Sequence, residues 1–290
     1  KPAIVIRNSL GDNRIEGVTI TSGGSGRGVE VSNATFRLSG CLITNCYNTL
    51  GAGLYAVSAH GLLVDNVFAG NDTPTASAPI YNNMGGAVSI DRGSLFFDRV
   101  AFSANRVRAQ TGSGWTASGA GAGMNGGCHR FRNVLAARNT LSGYTRRGSA
   151  FYVDDGVVEI ESATVVTNTE GVAIWWRTGT VAIVNAILWD NPIGDSAGAA
   201  GAIQASYSCA TGLVSGVQGN LTNDPQFVSI VSNDYSLLKG SPCVNAGLTR
   251  TWMIAAVDLA GDPRLSDNVV DMGAYESEGS PPPGTLITIL

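Results

Sequence analysis

Apolar and polar residues alternate along most of this chain in short runs, and the runs are separated by turns that contain Gly. Alternation with a period of two puts successive side chains on opposite faces of a β-strand. The runs recur in blocks that close on an Asn. The clearest blocks are residues 87–105, 150–168 and 173–191; weaker copies end at Asn45, Asn71 and Asn139, and a degenerate first copy spans 3–23. Aligned on that Asn, the apolar positions fall into columns. One reads Val29, Tyr55, Val88, Ala122, Phe151, Ile174, and two residues on the series is Val31, Val57, Ile90, Met124, Val153, Trp176. A third is Leu38, Val64, Phe97, Phe131, Ile160, Ile183, and a fourth Cys41, Val67, Val100, Val134, Ala163, Ala186. Like residues stacked about 4.8 Å apart make the core of a β-solenoid. The pattern predicts an all-β chain: a right-handed parallel β-helix of about seven or eight coils over residues 1–230. An irregular C-terminal cap is expected over 231–278, then a Pro-rich linker and an apolar tail over 279–290.

The closing residues Asn45, Asn71, Asn105, Asn139, Asn168 and Asn191 are spaced 23 to 34 residues apart. Asn tolerates left-handed turns, and its amide can bond to the next Asn in a stack, so the series reads as a structural ladder. Extra length enters at 72–86, 106–121, 140–149 and 192–202, always between the Asn and the next strand. Those insertions are expected to leave the solenoid at one corner, on a face suited to binding.

Positions between the apolar columns should point outward. One such series is Glu30, Ala56, Ser89, Gly123, Tyr152, Trp175; the next is Ser32, Ser58, Asp91, Asn125, Asp154, Arg177. Stacking would line up Asp91, Asn125, Asp154 and Arg177 about 5 Å apart, with Tyr152 beside Trp175. Trp115, Tyr81, Tyr144, Arg146 and Arg147 lie in the insertions and could arch over that row. Aromatic rings beside carboxylates and an Arg suit a sugar. The candidate ligand-binding residues are therefore Tyr152, Trp175, Asp154, Asp155, Arg177, Trp115 and Tyr144; any catalysis would fall to Asp91, Asp154 and Arg177. A glycosidase needs two carboxyl groups of different proton affinity, about 5–5.5 or 6.5–9.5 Å apart. A lyase needs a base, usually Lys or Arg, and a cation for the uronate carboxylate. A plainer reading competes with both: Asp154-Asp155-Gly156 is an Asx turn, and Asp opposite Arg is a solvated cross-strand pair.

Charge and composition narrow the partners. With 22 acidic and 18 basic residues the net charge is −4, and no basic run occurs, which argues against nucleic acid. Lys1 and Lys239 are the only lysines, which leaves a lyase short of bases. No run of about 18 apolar residues predicts a membrane span. The five cysteines form no CxxC pair and there are two His, so no zinc site is expected. The cysteines read as small buried hydrophobes, and whether Cys41 and Cys46 pair is not readable from spacing. His129 falls in an inward column and His60 at a turn. Residues 22–28 are Gly-rich but lack the Lys-Ser/Thr of a phosphate loop, and a Ser/His/Asp triad is not expected. No cofactor is expected. Asp258, Asp262 and Asp271 read as turn or ion-pair residues, with Ca²⁺ as the second reading; nearby Arg264 and the absence of EF-hand spacing stand against the ion.

Two resemblances follow from particular motifs. Gly85-Gly86-Ala87-Val88 together with Phe102-Ser103-Ala104-Asn105 resembles the repeat of polymorphic outer-membrane proteins and related adhesins. The last third carries Asn223-Asp224-Pro225-Gln226-Phe227, Ser241-Pro242-Cys243-Val244-Asn245-Ala246-Gly247, Asp258-Leu259-Ala260-Gly261-Asp262-Pro263-Arg264 and Asp271-Met272-Gly273-Ala274-Tyr275-Glu276. That order resembles the C-terminal end of bacterial right-handed parallel β-helix proteins of the choice-of-anchor Q type. The resemblances imply bacterial secretion and display at the cell surface, and they carry no catalytic residues. Physically, the last third reads as a cap that closes an open solenoid end. The expected role is adhesive or structural and non-catalytic, outside the cell, with a saccharide groove. The alternative is a polysaccharide lyase or glycoside hydrolase acting on an extracellular glycan. In the tail, Leu286, Ile287 and Ile289 are expected to add as a strand to a second copy of the chain, head to tail at an open first coil. The competing reading makes the tail the start of a further domain.

Overall fold

The computed structural model describes residues 1–75, 82–112, 114–191, 203–265 and 268–277. Eight strands follow one another through a single sheet: Ile4–Arg7, Val29–Ser32, Leu54–Ala69, Val88–Ser103, Ala122–Ala137, Phe151–Val166, Thr180–Val184 and Gln204–Ser206. Every neighbouring pair is parallel. The chain is thus a parallel β-helix, as the period-two alternation predicts. The 16-residue strands wrap around the coil, bending at left-handed residues such as Ser58 and Asp65 in Leu54–Ala69.

The core is the set of inward columns. Val29, Leu54, Val88, Ala122, Phe151 and Ile174 stack in register and are fully buried. Phe97 and Phe131 stack at 4.5 Å and 5° between planes, close to the spacing of the strands. One coil departs from the register expected from sequence. Leu54, Ala56 and Leu63 take the core places assigned above to Tyr55, Val57 and Val64. Asn66 takes the place assigned to Val67, which is 39% exposed. A one-residue slip exchanges the two faces of a strand, so Tyr55 moves to the outward series.

The ladder forms, with one member changed. Asn105 Oδ1 accepts from both N and Nδ2 of Asn71, at 3.1 and 3.0 Å; Asn139 does the same for Asn105, Asn168 for Asn139 and Asn191 for Asn168. In the coil before them the position belongs to Cys46, whose N–H donates to Asn71 Oδ1. Asn45 is exposed and lies outside the ladder. The physical reason is in the backbone. The residue just before each ladder position is left-handed: Asn45, Gly70, Ala104, Arg138, Thr167 and Asp190. Asn45 is a turn residue, and the buried place comes one later. A second corner is built on glycine. At Gly93, Gly127, Gly156 and Gly179 φ is positive, and a Cβ on each of the last three would lie within 2.1–2.5 Å of the carbonyl oxygen of the glycine in the coil below.

Three of the four insertions carry strands of their own, and 192–202 lies outside the described residues. Asp72–Thr73, Arg106–Arg108 and Thr140–Ser142 pair in one small parallel sheet. Asn82–Met84, Thr116–Ser118 and Thr145–Arg147 pair in another. Together they make an arm that stacks coil by coil beside the main helix.

The last third is a strap along the flank, which corrects the expectation that it closes the open end. Phe227, Tyr235, Leu237, Cys243 and Met272 pack against the outward residues Ala137, Val166, Ile187 and Cys209 of four successive coils. Asn185 donates to Leu248 O and accepts from Leu248 N, at 2.9 and 2.7 Å. Ala274 N–H reaches Thr164 Oγ1 at 3.0 Å. The apolar core at the C-terminal end is instead met by Ile203 and Leu213. Asp258 and Asp271 are buried turn acceptors: Asp258 takes the N–H of Ala260, Gly261, Asp262 and Glu276, and Asp271 those of Asn245 and Ser277. Asp262 is exposed and gives only backbone to this turn. Leu286, Ile287 and Ile289 lie outside the described residues.

The ladder and the turn residue beside it should respond differently to mutation. Asn139→Ala removes the acceptor of two buried donors, each worth about 1–3 kcal/mol when left unpaired. We expect a loss of about 3 kcal/mol in urea unfolding, whereas Asn45→Gly costs less than about 0.5 kcal/mol.

Candidate functional site

The expected aromatic pair forms, but it is enclosed. Glu30, Tyr55, Ser89, Gly123, Tyr152 and Trp175 form the first outward series once the register is corrected. The arm lies directly on it. A Cβ on Gly123 would come within 2.2 Å of the Met84 side chain, so only Gly admits this contact. Tyr152 and Trp175 stack at 5.1 Å and 8°, as their adjacency predicts. Both are buried, at 6% and 4% exposure, and Arg147 from the arm lies 4.6 Å over the Trp175 ring. The expectation that these two rings offer a face to ligand is therefore corrected: the faces are taken by each other and by a guanidinium.

The polar row beside them is also engaged. Arg177 donates to Asp154 through Nε and Nη2, at 2.7 and 2.6 Å, and Tyr152 Oη donates to the same carboxylate at 2.6 Å. Burial alone would push Asp154 up; hydrogen bonds from Arg177 and Tyr152 outweigh it and hold the carboxyl below its usual range. Burial, then the Asp154 carboxylate, keeps the Tyr152 phenol protonated far above its ordinary range. A bulge places Asp155, not Asp154, opposite Asn125. Asp155 accepts from Thr178 Oγ1 at 3.2 Å. Asp91 is held by Arg92 and Asn125, both at 3.2 Å. Trp115 packs against the small core of the arm, Tyr144 is 62% exposed, and Arg146 pairs with Glu170. Tyr81 lies outside the described residues. The structure thus brings Tyr152, Trp175, Asp154 and Arg177 together, with Asp91 joined to the row through Asn125.

An open cleft lies on a different face. Ser94, Leu95, Phe96, Cys128, His129, Arg130, Val157 and Glu159 line about 310 Å³. It continues into a smaller space of about 160 Å³ bounded by Arg130, Arg132, Glu159, Glu161 and Arg250. Arg130 Nε donates to Glu159 at 2.6 Å, with both side chains nearly half exposed. Arg132 lies between the rings of Phe96 and Trp252, at 5.3 and 4.4 Å. Glu161, buried at 6%, accepts from Arg132, Arg250 and Trp252 Nε1. Sequence reasoning missed this face. Its signal was present in part, since Phe96, Arg130 and Glu159 form the outward series next to the Phe97 column. Arg250 and Trp252 come from the strap and share no period with the coils. A larger space of about 680 Å³ at the C-terminal coils is lined by Ala182, Val184 and residues between Ile203 and Asn220, which follow the undescribed residues 192–202.

His129 is a buried part of the cleft wall, as its inward column predicts. Nδ1 accepts from Leu95 N–H at 3.2 Å, and Nε2–H donates to Gly126 O at 2.9 Å, the arrangement of a neutral ring. His60 is exposed. Among the described residues no group of three or more His, Cys, Asp or Glu side chains is placed to hold a metal. No protein-family model, no curated protein and no solved structure matches this chain.

Two measurements check this geometry. Trp175→Ala should cost about 3–5 kcal/mol of stability, as a buried aromatic does, measured by denaturant unfolding. Burial pushes His129 below its ordinary value of 6.5. Its neutral form is therefore favoured by folding: the contribution is complete above about pH 6.5 and is lost as pH falls through that value toward the lower folded pKa. Glu276, whose carboxyl burial pushes up to about 8, contributes in the opposite sense over this range. The His129 effect is therefore read as a difference: the excess stability of the native chain over His129→Gln should shrink between pH 7.5 and 5.

Proposed function

We propose that this chain is a secreted, surface-displayed β-helix protein of the bacterial choice-of-anchor Q type, adhesive or structural rather than catalytic, which binds saccharide in its lateral cleft. One observation carries the non-catalytic reading. Asp154, the carboxylate best placed to act as acid, base or nucleophile, is already held by both arms of Arg177 and by Tyr152. A general acid must keep its proton near neutral pH, and Asp154 is drawn the other way. Asp91 is likewise tied to Arg92 and Asn125.

The saccharide reading rests on the cleft, where the half-buried Phe96 ring sits beside the exposed Arg130–Glu159 pair. An apolar surface with a few convergent polar groups is the usual form of a small-molecule site. Location outside the cell rests on the motif order of the last third, and adhesion on the resemblance of the 85–105 repeat. A stacked solenoid presents a long lateral surface, which suits contact with extended partners.

The test separates binding from cleavage. Acidic and neutral polysaccharides are incubated with the protein and assayed for reducing ends and for the absorbance of unsaturated uronates; no product is expected. On a glycan array, Arg130→Ala combined with Glu159→Ala should weaken binding roughly tenfold or more, about 1.4 kcal/mol per tenfold, while Asp91→Asn leaves it unchanged. Cleavage that disappears in Asp154→Asn would establish the lyase or glycosidase reading instead. Binding indifferent to the double substitution would place the saccharide elsewhere.

A further inference from the structure

Two of the five cysteines meet across the junction between coils and strap. Cys209 belongs to the strand Cys209–Ala210, which pairs with Ile187–Leu188 of the preceding coil and bridges to Leu221. Cys243 belongs to the strap. Both are fully buried in one apolar cluster, and each thiol is the largest influence on the other's ionisation. The chain around them holds this approach from both sides. Cys209 Sγ lies 3.1 Å from Asn223 O. Ser241 Oγ donates to Pro225 O and accepts from Cys243 N–H at 3.1 Å, so both cysteines are anchored to the segment 223–225. Met272 N–H fixes the Cys243 carbonyl at 3.0 Å.

We propose that Cys209 and Cys243 form a structural disulfide that fastens the C-terminal strap to the last coils. Other uses of a thiol pair fit the place less well. A zinc site needs about four donors, and no third His, Cys, Asp or Glu joins the pair among the described residues. A redox-active dithiol needs an accessible sulfur for exchange, and both of these are at 0% exposure. Cys41 and Cys46, the pair that sequence spacing left open, occupy two separate corners of one coil, where their N–H groups donate to Asn66 and Asn71 of the next coil. Cys128 is exposed in the lateral cleft. The bond forms by two exchanges with an oxidising disulfide such as oxidised glutathione. One cysteine thiolate attacks the glutathione S–S bond and expels one glutathione thiolate. The second cysteine thiolate then attacks the mixed disulfide and expels the other. Two protons and two electrons pass from the protein to one glutathione disulfide, giving two glutathione thiols. Because both sulfurs are buried in the native fold, the exchange belongs to folding and precedes closure of the strap.

The proposal concerns the thiol pair alone and stands apart from any saccharide. The full chain is unfolded, reduced and refolded with oxidised and reduced glutathione, then alkylated in denaturant and digested without reductant. The expected product is one peptide pair joined through Cys209 and Cys243, with Cys41 and Cys46 alkylated and Cys128 alkylated or carrying glutathione. In the refolded chain a phosphine reductant should lower the thermal midpoint by roughly 5–10 °C. Cys243→Ala should melt at one temperature with or without reductant, its surviving transition showing that it folds. Recovery of Cys209 and Cys243 as alkylated thiols from oxidised, folded chain would overturn the proposal, as would a joined peptide pair involving another cysteine.

Discussion

Stacking at a single spacing is the constraint from which the rest of this structure follows. Each coil must offer the next the same backbone at the same corners, because a buried corner has no water to satisfy its N–H and C=O groups. The Asn ladder meets that demand at one corner. Each amide oxygen takes two donors from the Asn below, and Nδ2 of Asn105, Asn139 and Asn168 also donates to a carbonyl of a preceding coil. Where Cys46 replaces Asn, its N–H still donates into the ladder. Any length added inside a coil would break this repeat, so extra residues enter after the ladder position, where the chain can leave the stack and return.

What those extra residues do decides which surfaces are available. In three of the insertions the described residues stack on one another as the coils do, in two small parallel sheets, and the arm they make covers one face of the solenoid. Aromatic rings on that face become core. Tyr152 and Trp175 fill the seam between arm and helix under Arg147, and the ion pair of Asp154 with Arg177 closes its rim. A constellation with the residue types of a sugar site is therefore a joint between two stacked bodies.

The strap works on the opposite principle. It has almost no parallel pairing with the coils and is held by apolar cover and by a few hydrogen bonds from corner residues such as Asn133 and Asn185. Its Trp252 and Arg250 converge on Glu161, a buried carboxylate that would be costly without those partners. In doing so the strap bounds the smaller space next to the lateral cleft through Arg250 and leaves Arg130 and Glu159 exposed. The open lateral surface is thus what remains after arm and strap have each taken a face.

Period-two alternation and the recurring closing Asn determined the architecture from the sequence alone: a parallel β-helix of about seven or eight coils. They also placed the Asn71 to Asn191 ladder and the Tyr152–Trp175 stack, because each depends only on residues at equal positions in successive coils. The coil of Leu54–Ala69 was misread by one residue because both Leu54 and Tyr55 are apolar enough to pass for core, and only pairing with Val29 and Val88 chooses between them. Asn45 was misread because an Asn in a left-handed turn and an Asn in a ladder are the same letter one position apart. Burial of the aromatic face and the union of strap with cleft were decided by tertiary structure. Both join segments of different period, such as Met84 with Gly123 or Trp252 with Glu161, and a periodic pattern encodes contacts only among residues that share its repeat.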